Sequence, residues 1–388
     1  MNKQKAVLFF TVFIDMVCFS MIFPVMPYLV DELHLTKVSI AIILAIFPLM
    51  NFLCSSYWGS LSDRVGRRPV MLWSIAITFF ANVLLSFSSV GILLFLARML
   101  AGIGSANVSV AQAYIADIST PQQRTKNLGM MGAVFGMGFI IGPFVGSLLK
   151  EYSGQGSAVW VGIGAAVFNL INYITATVYL TESNKNITAA TNKNLNPLVS
   201  IYKWLKVPVI SNLMFLFFIY VTAFSMMQMT SGFLWKDKYG LTEKQAGLMF
   251  VYIGLTSAIF QGLLVGILTK RFTERQLIIG GGIIMGCGLA LIPVPSVGHF
   301  LVLELVACGL LSLGNACITP PLQSWISKKV PVTQVGQALG ANQSFGSIGR
   351  VIGPALGTFL YAANISMPFF VAGALMFFPL IIILKLKD

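Results

Sequence analysis

The chain contains 388 residues, of which 57% are hydrophobic and only 10% are charged, and its mean hydropathy is +0.85. Soluble globular chains carry about 25% charged residues, so this composition excludes a soluble protein and indicates an integral membrane protein. The formal net charge of +13 does not indicate a nucleic-acid partner, because the basic residues are scattered over many short loops instead of forming a patch.

Apolar segments of about twenty residues follow one another along the chain, and their lack of alternation predicts helices rather than strands. We predict twelve membrane spans in two sets of six, at 6–30, 39–60, 69–89, 91–116, 126–149 and 158–181, and at 207–233, 243–268, 275–295, 297–320, 334–361 and 366–385. The only long polar stretch, 182–206, is typical of a linker. The predicted fold is an all-α membrane protein with one six-helix half at 1–181 and a second at 207–388.

The distribution of Lys and Arg predicts the orientation in the membrane. If the chain begins in the cytoplasm, 18 of the 25 basic residues fall in cytoplasmic segments, 5 fall in outer loops and 2 lie inside spans. Cytoplasmic loops carry the excess of basic residues in membrane proteins, so both termini are predicted to be cytoplasmic.

Metal and enzyme chemistry are not expected. The five cysteines all fall in apolar segments and show neither metal-ligand spacing nor a disulfide pattern. His34 and His299 both fall at outer ends of spans, and no nucleophile motif is present.

A charged segment separates the second span from the third. It contains two glycines, one acid and three arginines: Gly59, Asp63, Arg64, Gly66, Arg67 and Arg68. Such a segment cannot lie in hydrocarbon, so we expect a loop at the cytoplasmic face. The second half has a partial counterpart at 266–271, in which Lys270 stands at the position of Asp63. Two residues beyond it, Thr273 stands at the position of Gly66.

An internal repeat relates the two halves. Span 5 from Gly138 to Gly146 and span 11 from Gly349 to Gly357 both have the pattern G-x-x-x-G-P-x-x-G, 211 residues apart. Equivalent helices in two halves of the same topology predict parallel repeats about an axis along the membrane normal.

Four motifs in the first half together resemble the major facilitator superfamily in its twelve-span drug/proton antiporter branch. They are the run from Asp15 to Pro27, the charged segment between spans 2 and 3, the run from Arg98 to Ala106, and the span 5 motif at Gly138, Gly142, Pro143 and Gly146. The likeness is greatest to bacterial tetracycline/proton antiporters, and it extends to 115–117, 141–143, 260–261 and 320–323. Those antiporters also use membrane acids in spans 3 and 9. This chain has no Asp or Glu in either span, which favours a substrate other than a metal–tetracycline complex.

The resemblance implies two six-helix bundles that work by alternating access in a bacterial inner membrane. It also implies export of an amphipathic or lipophilic small molecule in exchange for protons, by a monomer with no cofactor beyond the proton gradient. Two alternatives stay open. One is export of a specific metabolite, siderophore or lipid by the same mechanism, and the other is a non-transporting receptor or sensor on this fold.

Four formally charged side chains lie well inside the predicted spans: Asp15, Arg98, Glu304 and Arg350. Each costs about 2.5–3.5 kcal/mol at a helix centre, so we expect pairing or a water-filled cavity rather than lipid contact. Asp15 is the leading candidate for proton coupling, the alternative being a structural partner for an arginine or a helix end. The resemblance implies that Arg98 modulates protonation of a carboxylate, the alternative being a static pair or a clamp on backbone carbonyls. Glu304 is a candidate second proton site and Arg350 a candidate for binding an anionic group, unless the two form a structural salt bridge.

The charged segment and Asp117 are candidates for an inner gate, the alternative being ordinary solvated loop charges. Asp63 is expected to cap the amino end of span 11 near 334–336, where the helix dipole is positive. Asp117 is expected to pair with Arg67 or Arg68, and both contacts would hold the gate in the outward-open state.

Span 5 has glycines on one face at 138, 142 and 146 and a second close-spaced pair at Gly132 and Gly136. These small faces are expected to let helices 5 and 8 or their equivalents approach closely, and Pro143 is expected to bend span 5. Dense packing without any role in transport is the alternative. Uncharged polar side chains within spans serve either as interhelical contacts or as substrate contacts. Six are candidate substrate contacts: Asn107, Gln112, Gln228, Gln261, Asn315 and Gln323.

Overall fold

The structure is a computed structural model that describes residues 3–22, 37–88, 90–153, 158–183, 197–241, 243–295 and 300–385. Every regular element within these ranges is helical. The helices are α1 (Lys3–Ser20), α2 (Lys37–Val65), α3 (Arg67–Ser86), α4 (Gly91–Gly104), α5 (Val108–Asp117), α6 (Arg124–Ser153), α7 (Val159–Tyr179), α8 (Pro197–Leu205), α9 (Pro208–Tyr239), α10 (Glu243–Ile259), α11 (Val265–Leu268), α12 (Glu274–Leu291), α13 (Phe300–Lys328), α14 (Val335–Ala363) and α15 (Met367–Lys385).

The predicted all-α membrane fold is confirmed. In the described part of the chain, eight helical stretches are long and apolar enough to cross a membrane, judged by length and composition. One of them, Gly91–Asp117, joins α4 to α5 through a 3-10 turn at Ser105–Asn107. Another, Gln245–Leu268, joins α10 to α11 through a π-helical turn at Phe260–Leu264. The predicted spans 1, 2, 11 and 12 overlap α1, α2, α14 and α15.

The charged segment between spans 2 and 3 is not the loop that the sequence predicted. Helix α2 continues to Val65 and α3 begins at Arg67, so Gly66 alone separates them. Gly66 has φ +101°, a backbone conformation that favours glycine, and this lets the chain reverse within one residue. Pro69 lies in the first turn of α3, where its missing N–H is tolerated.

The polar stretch predicted as a plain linker also contains structure. Its first residues, 182–183, approach the start of α3, and 197–205 form α8. Residues 184–196 lie outside the described ranges, as do Pro24, Pro27 and both histidines.

The chain forms two compact units. The first comprises Met1–Ile118, Met137–Tyr202 and Val330–Ser344, and the second comprises Ser119–Gly136, Lys203–Lys329 and the remainder from Phe345. Helices α6 and α14 therefore contribute one segment to each unit. The division of the sequence into halves at 182–206 stays a prediction.

Candidate functional site

Asp15 lies on α1 in the first unit, with both carboxylate oxygens held by neutral amides. Asn172 Nδ2 on α7 donates to Oδ1 at 3.0 Å, and Asn107 Nδ2 donates to Oδ2 at 3.1 Å. Within the described residues, neither a lysine nor an arginine forms an ion pair with this carboxylate. Binding of a proton is therefore the simplest way to neutralise its charge.

Asp15 borders a small cavity that lies wholly within the first unit. The lining includes Phe47, Arg98, Ser105 and Asn107. The cavity volume is about 30 Å³, which is enough for a water molecule. Pockets for drug-sized ligands have volumes of about 300–1,000 Å³. In this conformation the cavity suits a proton or water and excludes a drug-sized molecule.

Arg98 shares the cavity with Asp15 but does not pair with it. Its guanidinium carbon lies 4.7 Å from the centre of the Phe47 ring, and its Nε is buried without a hydrogen-bond partner. Within the described residues Arg98 makes neither an ion pair nor a hydrogen bond to a backbone carbonyl, and its role stays a prediction. The structure brings together Asp15, Arg98 and Asn107, three residues that the sequence had singled out.

The glycines of the span 5 motif pack against α1 beside Asp15. A Cβ at Gly138 would overlap Met16, and Ser20 Oγ donates a hydrogen bond of 2.9 Å to the Gly138 carbonyl. Gly142 and Gly146 meet the next turns of α1 in the same way. These glycines therefore set how closely α6 approaches the segment of α1 that carries Asp15.

The second predicted glycine pair, Gly132 and Gly136, makes the approach of span 5 to span 8. Gly132 contacts Gln261 in the π-helical turn, as does Gly129, and Gly136 contacts Gly254 and Ala258 on α10. The face with Gly138, Gly142 and Gly146 meets α1 instead. Pro143 lies within α6, which continues through it to Ser153.

The repeat in α14 makes the corresponding contacts in the second unit. A Cβ at Gly349, Gly353 or Gly357 would meet successive turns of α9, at Thr222 and Met226 among others. The same glycine pattern therefore packs α6 on α1 and α14 on α9.

The predicted cap of span 11 by Asp63 is present within the first unit. The amides of Gly336 and Gln337 donate to the two carboxylate oxygens at 3.1 and 2.8 Å. Gly336 falls within the predicted range, and Gln337 lies one residue beyond it. Arg67 NH1 lies 2.6 Å from Asp63 Oδ1. Burial raises the pKa of the Asp63 carboxyl above its ordinary value, while Arg67 and the two amides act in the opposite direction. The ionised form therefore depends on these three donors.

Arg67 is fully buried and joins Asp63 to Asp117. Its Nε donates to Asp117 Oδ2 at 3.0 Å, which is the predicted pair. Glu182 completes the cluster by accepting from the backbone amides of Arg67 and Arg68 at 2.8 and 3.0 Å, at the amino end of α3. We call Asp63, Arg67, Asp117 and Glu182 the Arg67 cluster. The alternative that Asp63 and Asp117 are ordinary solvated loop charges is wrong, because both side chains are almost fully buried.

The other members of the charged segment have separate positions. Arg68 NH2 donates to the Thr177 carbonyl at 2.7 Å. Arg64 has two buried guanidinium nitrogens without a hydrogen-bond partner. Gly59 packs directly on the Gly336 carbonyl, where no side chain fits, and so lets α2 and α14 approach beside Asp63.

Glu304 lies on α13 in the second unit and is fully buried. The Trp235 indole Nε1 donates to Oε1 at 2.6 Å, while Oε2 is buried without a hydrogen-bond partner. The alternative of a salt bridge between Glu304 and Arg350 is therefore wrong, because the indole on α9 takes the place expected for the arginine.

Arg350 belongs to a polar cluster formed by α9, α13 and α14. Its NH1 donates to Ser347 at 3.2 Å, and it interacts electrostatically with Tyr220. The Tyr220 hydroxyl donates to Asn315 Oδ1 at 2.6 Å. We call Tyr220, Asn315 and Arg350 the Tyr220 cluster. The rings of Phe217 and Phe224 lie 6.0 and 6.2 Å from that of Tyr220.

The remaining candidate substrate contacts are divided between the two units. Gln112 is buried in the first unit, and its Oε1 has no hydrogen-bond partner. In the second unit Gln261 and Gln323 are buried, whereas Gln228 is exposed. Sequence reasoning missed three partners that the structure supplies: Asn172, Glu182 and Tyr220. Asn172 was detectable as an amide within an apolar helix, whereas the contacts of the other two join distant segments.

The second unit has its own charged cluster at the amino end of α12. Glu274 forms an ion pair with Lys328 and accepts from Thr125 Oγ1 at 3.2 Å and Ser324 Oγ at 3.3 Å. Thr273, the counterpart of Gly66, caps the helix through its side chain. Glu274 thus stands where Arg67 stands in the first half, with the opposite charge. We call Glu274, Lys328, Thr125 and Ser324 the Glu274 cluster.

Isolated charges in membrane helices, together with a helix motif repeated in the two halves, are features of secondary transporters. The chain belongs to the major facilitator superfamily, since the family model with that description matches residues 8–331 and 216–388. It is a membrane transporter and not an enzyme, and the resemblance seen in its motifs is confirmed.

Similar proteins extend over nearly the whole chain. It is 31% identical over 376 residues to "Tetracycline resistance protein, class C" of Escherichia coli, which covers 94% of this chain and 91% of that protein. It is 26% identical over 383 residues to "Multidrug resistance protein 2" of Bacillus subtilis, covering 97% and 94%. The crystal structure of the human organic anion transporter MFSD10 (TETRAN) matches with a TM-score of 0.86 over 98% of this chain and 99% of that one. At 21% identity this last likeness shows the fold alone.

Proposed function

We propose that this protein is a proton-coupled exporter that exchanges protons for amphipathic or lipophilic small molecules by alternating access. The observation that carries the proposal is the environment of Asp15. Its carboxylate is held by two amides, has no ion-pair partner among the described residues, and borders a water-sized cavity. Protonation removes a charge that the low-dielectric surroundings disfavour, so gain and loss of a proton can bias two conformations.

Arg98 is proposed to help release that proton. A cation in the same small cavity favours the ionised form of a nearby carboxylate. Since the guanidinium has no acidic partner in the described residues, its field acts on Asp15 without competition from a closer acid.

The direction of transport and the substrate class rest on the similar proteins. Relatives named for tetracycline resistance and multidrug resistance each cover more than nine-tenths of the chain, which supports export of a small molecule. The absence of Asp and Glu from the predicted spans 69–89 and 275–295 argues against a metal–tetracycline complex. We propose that the protein acts as a monomer in a bacterial inner membrane with both termini in the cytoplasm.

The Tyr220 cluster is proposed to contact the substrate. It combines a guanidinium, a phenol and an amide with neighbouring aromatic rings, a combination that suits a molecule with both apolar and polar parts. The Arg67 cluster is proposed to hold the inner gate, because it fixes the first turn of α14 to α2 through Asp63.

The test uses purified protein in liposomes with an imposed pH gradient. Movement of ethidium and rhodamine 6G is followed for the wild type, Asp15→Asn and the control Asp237→Asn, which changes an exposed acid outside the cavity. We expect gradient-driven movement by the wild type and the control, and none by Asp15→Asn. Unchanged movement by Asp15→Asn would contradict the role of Asp15. No movement of either dye by any form would contradict the broad substrate class and favour a specific metabolite, siderophore or lipid.

A further inference from the structure

The cavity beside Asp15 contains a buried cation whose charge is not compensated by a neighbouring acid. Arg98 on α4 is 7% exposed and forms no ion pair among the described residues. Asp15 lines the same cavity, but its carboxylate is held by Asn107 and Asn172 instead. Burying a cation without a counter-charge is strongly unfavourable. The cavity therefore favours a species that brings negative charge to Arg98.

The polar groups of this cavity that lack partners are hydrogen-bond donors. In the described part of the chain, Arg98 Nε and Asn82 Nδ2 are both buried without a hydrogen-bond partner, and both residues line the cavity. Ser105 Oγ accepts from Asn51 Nδ2 at 3.2 Å, which leaves the Ser105 hydroxyl proton able to donate. Unpaired donors of a guanidinium and an amide, beside a hydroxyl, are the groups that bind an anion.

The size of the cavity limits which anion it can hold. Its volume of about 30 Å³ accommodates one species of the size of a water molecule. A chloride ion is a single atom only slightly larger than water, whereas sulfate, phosphate and organic carboxylates contain several heavy atoms. The rings of Phe19 and Phe47 complete the lining, and chloride tolerates such apolar neighbours better than strongly hydrated anions do. The cavity therefore fits chloride and excludes larger anions.

The charge on Asp15 decides when the cavity accepts an anion. Ionised Asp15 offsets the charge of Arg98 and repels an anion in the same cavity, whereas protonated Asp15 leaves the positive charge uncompensated. The titratable groups in the described lining are Asp15, Arg98 and Cys18, whose thiol donates to the Ala165 carbonyl at 3.5 Å. The lining residues of α2, α3 and the 3-10 turn are neutral, α6 presents glycines, and α7 contributes the amide of Asn172.

We propose that this cavity binds one chloride ion at Arg98 and Asn82 when Asp15 is protonated, and releases it when Asp15 loses its proton. Binding of the proton and binding of chloride then favour each other, because each removes a charge that opposes the other. The net charge inside the low-dielectric first unit stays the same in both states, so chloride accompanies the proton. Because Asp15 is the proposed proton site, this assignment rests on the proposed function.

The test measures binding of radioactive chloride to the purified full-length protein in a scintillation proximity assay, at acidic and at alkaline pH. In the wild type we expect saturable binding that bromide displaces and gluconate does not, because gluconate is too large for the cavity. The affinity for chloride should be lower at alkaline pH by about five-fold or more, the range of typical couplings between two sites. Asp15→Asn, which keeps this side chain neutral, should bind chloride equally at both pH values.

Two variants test the site itself. Arg98→Met removes the cation and should abolish binding of chloride. Asn82→Ala removes one charge-assisted hydrogen bond and should weaken binding roughly 10- to 100-fold. Because Asn82→Ala leaves every charge in place, it keeps the test decisive if Arg98→Met does not fold. The matched control is Arg271→Met, which removes an exposed arginine outside the cavity and should bind chloride like the wild type.

Three results would overturn the proposal. Absence of saturable binding in the wild type, or unchanged binding in both Arg98→Met and Asn82→Ala, would refute the chloride site. Displacement by gluconate would contradict its assignment to this cavity, and equal wild-type affinity at the two pH values would refute the link to Asp15. The readout is ion binding without transport. Protein that moves the dyes but binds no chloride therefore refutes this inference alone, and protein that binds chloride but moves no dye refutes the proposed function alone.

Discussion

The cap of α14 by Asp63 allows a quantitative prediction for Asp63→Asn. The carboxylate accepts charge-assisted hydrogen bonds from the amides of Gly336 and Gln337 and pairs with Arg67. Asparagine has nearly the same shape but offers only one acceptor atom, and its amide nitrogen would face the second backbone donor. Arg67 keeps Asp117 as a partner, so the change acts mainly on the cap.

The magnitude follows from the two backbone bonds. A hydrogen bond to a charged group contributes about 1.5–3 kcal/mol, and a neutral one contributes about 0.5–1.5 kcal/mol. Replacing two charged bonds by one neutral bond therefore removes about 3 kcal/mol from the local opening free energy. At about 1.4 kcal/mol per factor of ten, this raises the opening equilibrium constant roughly 100-fold.

Residue-resolved amide exchange measures this directly, with Glu182→Gln as the matched control. Glu182 makes the same kind of contact with the amides of Arg67 and Arg68 at the start of α3. We expect Asp63→Asn to accelerate exchange at 336–337 roughly 100-fold and to leave 67–68 nearly unchanged. Glu182→Gln should show the reverse pattern.

The reasoning would be refuted if Asp63→Asn changed exchange at 336–337 by less than about three-fold. It would also fail if both variants accelerated both sites equally, since that pattern indicates a general loss of stability instead of the loss of one cap.

Two further predictions concern stability. Gly138→Ala should lower the free energy of unfolding by about 1–3 kcal/mol, because the added Cβ would overlap Met16. The control Gly232→Ala should not lower it, because no atom lies within 4 Å of that Cβ. Equal thermal shifts in the two variants would contradict this prediction. Arg67→Gln, which breaks a fully buried network, should destabilise the protein by about 3–5 kcal/mol. Glu274→Gln breaks a partly exposed ion pair and should destabilise the protein by only about 1 kcal/mol. Denaturant unfolding measures both variants, and a larger loss of stability for Glu274→Gln than for Arg67→Gln would contradict this prediction.

The spans could be predicted because twenty apolar residues in a membrane have one main solution, a helix. The features that could not be predicted are those in which a single residue sets the backbone conformation, or in which a helix is too short for a span. Gly66 shortens the expected loop to one residue, and its φ of +101° has no signature in hydropathy. Helix α8 was not predicted, because a helix of nine residues is too short for a membrane span and this one lies in a polar stretch.

In the candidate site, the charged residues could be predicted from the sequence but their partners could not. Asp15 and Arg98 were recognisable as charges in apolar helices. Because a charge in contact with lipid is energetically costly, a cavity shared by the two side chains was to be expected. Asn107 and Asn172 were recognisable as amides in apolar helices, but their pairing with Asp15 was not. An asparagine such as Asn172 has the same sequence context whether it binds a carboxylate or a backbone carbonyl. The pairing of Glu304 with Trp235 was not predicted for a related reason. A tryptophan in an apolar segment has no sequence feature that marks its indole N–H as the donor to a carboxylate.

The two glycine motifs expose a difference between the halves that bears on mechanism. Gly142 packs on Val17 and Gly353 packs on Thr222, and Gly146 and Gly357 meet Met21 and Met226. Each α9 residue lies 205 positions after its α1 counterpart, which places Tyr220 at the position of Asp15. Both side chains bond to an asparagine, Asn107 for the acid and Asn315 for the phenol. One architecture thus presents a carboxyl group in the first half and a neutral hydrogen-bonding phenol in the second, so the proposed proton site and the proposed substrate site lie at equivalent positions of the repeat.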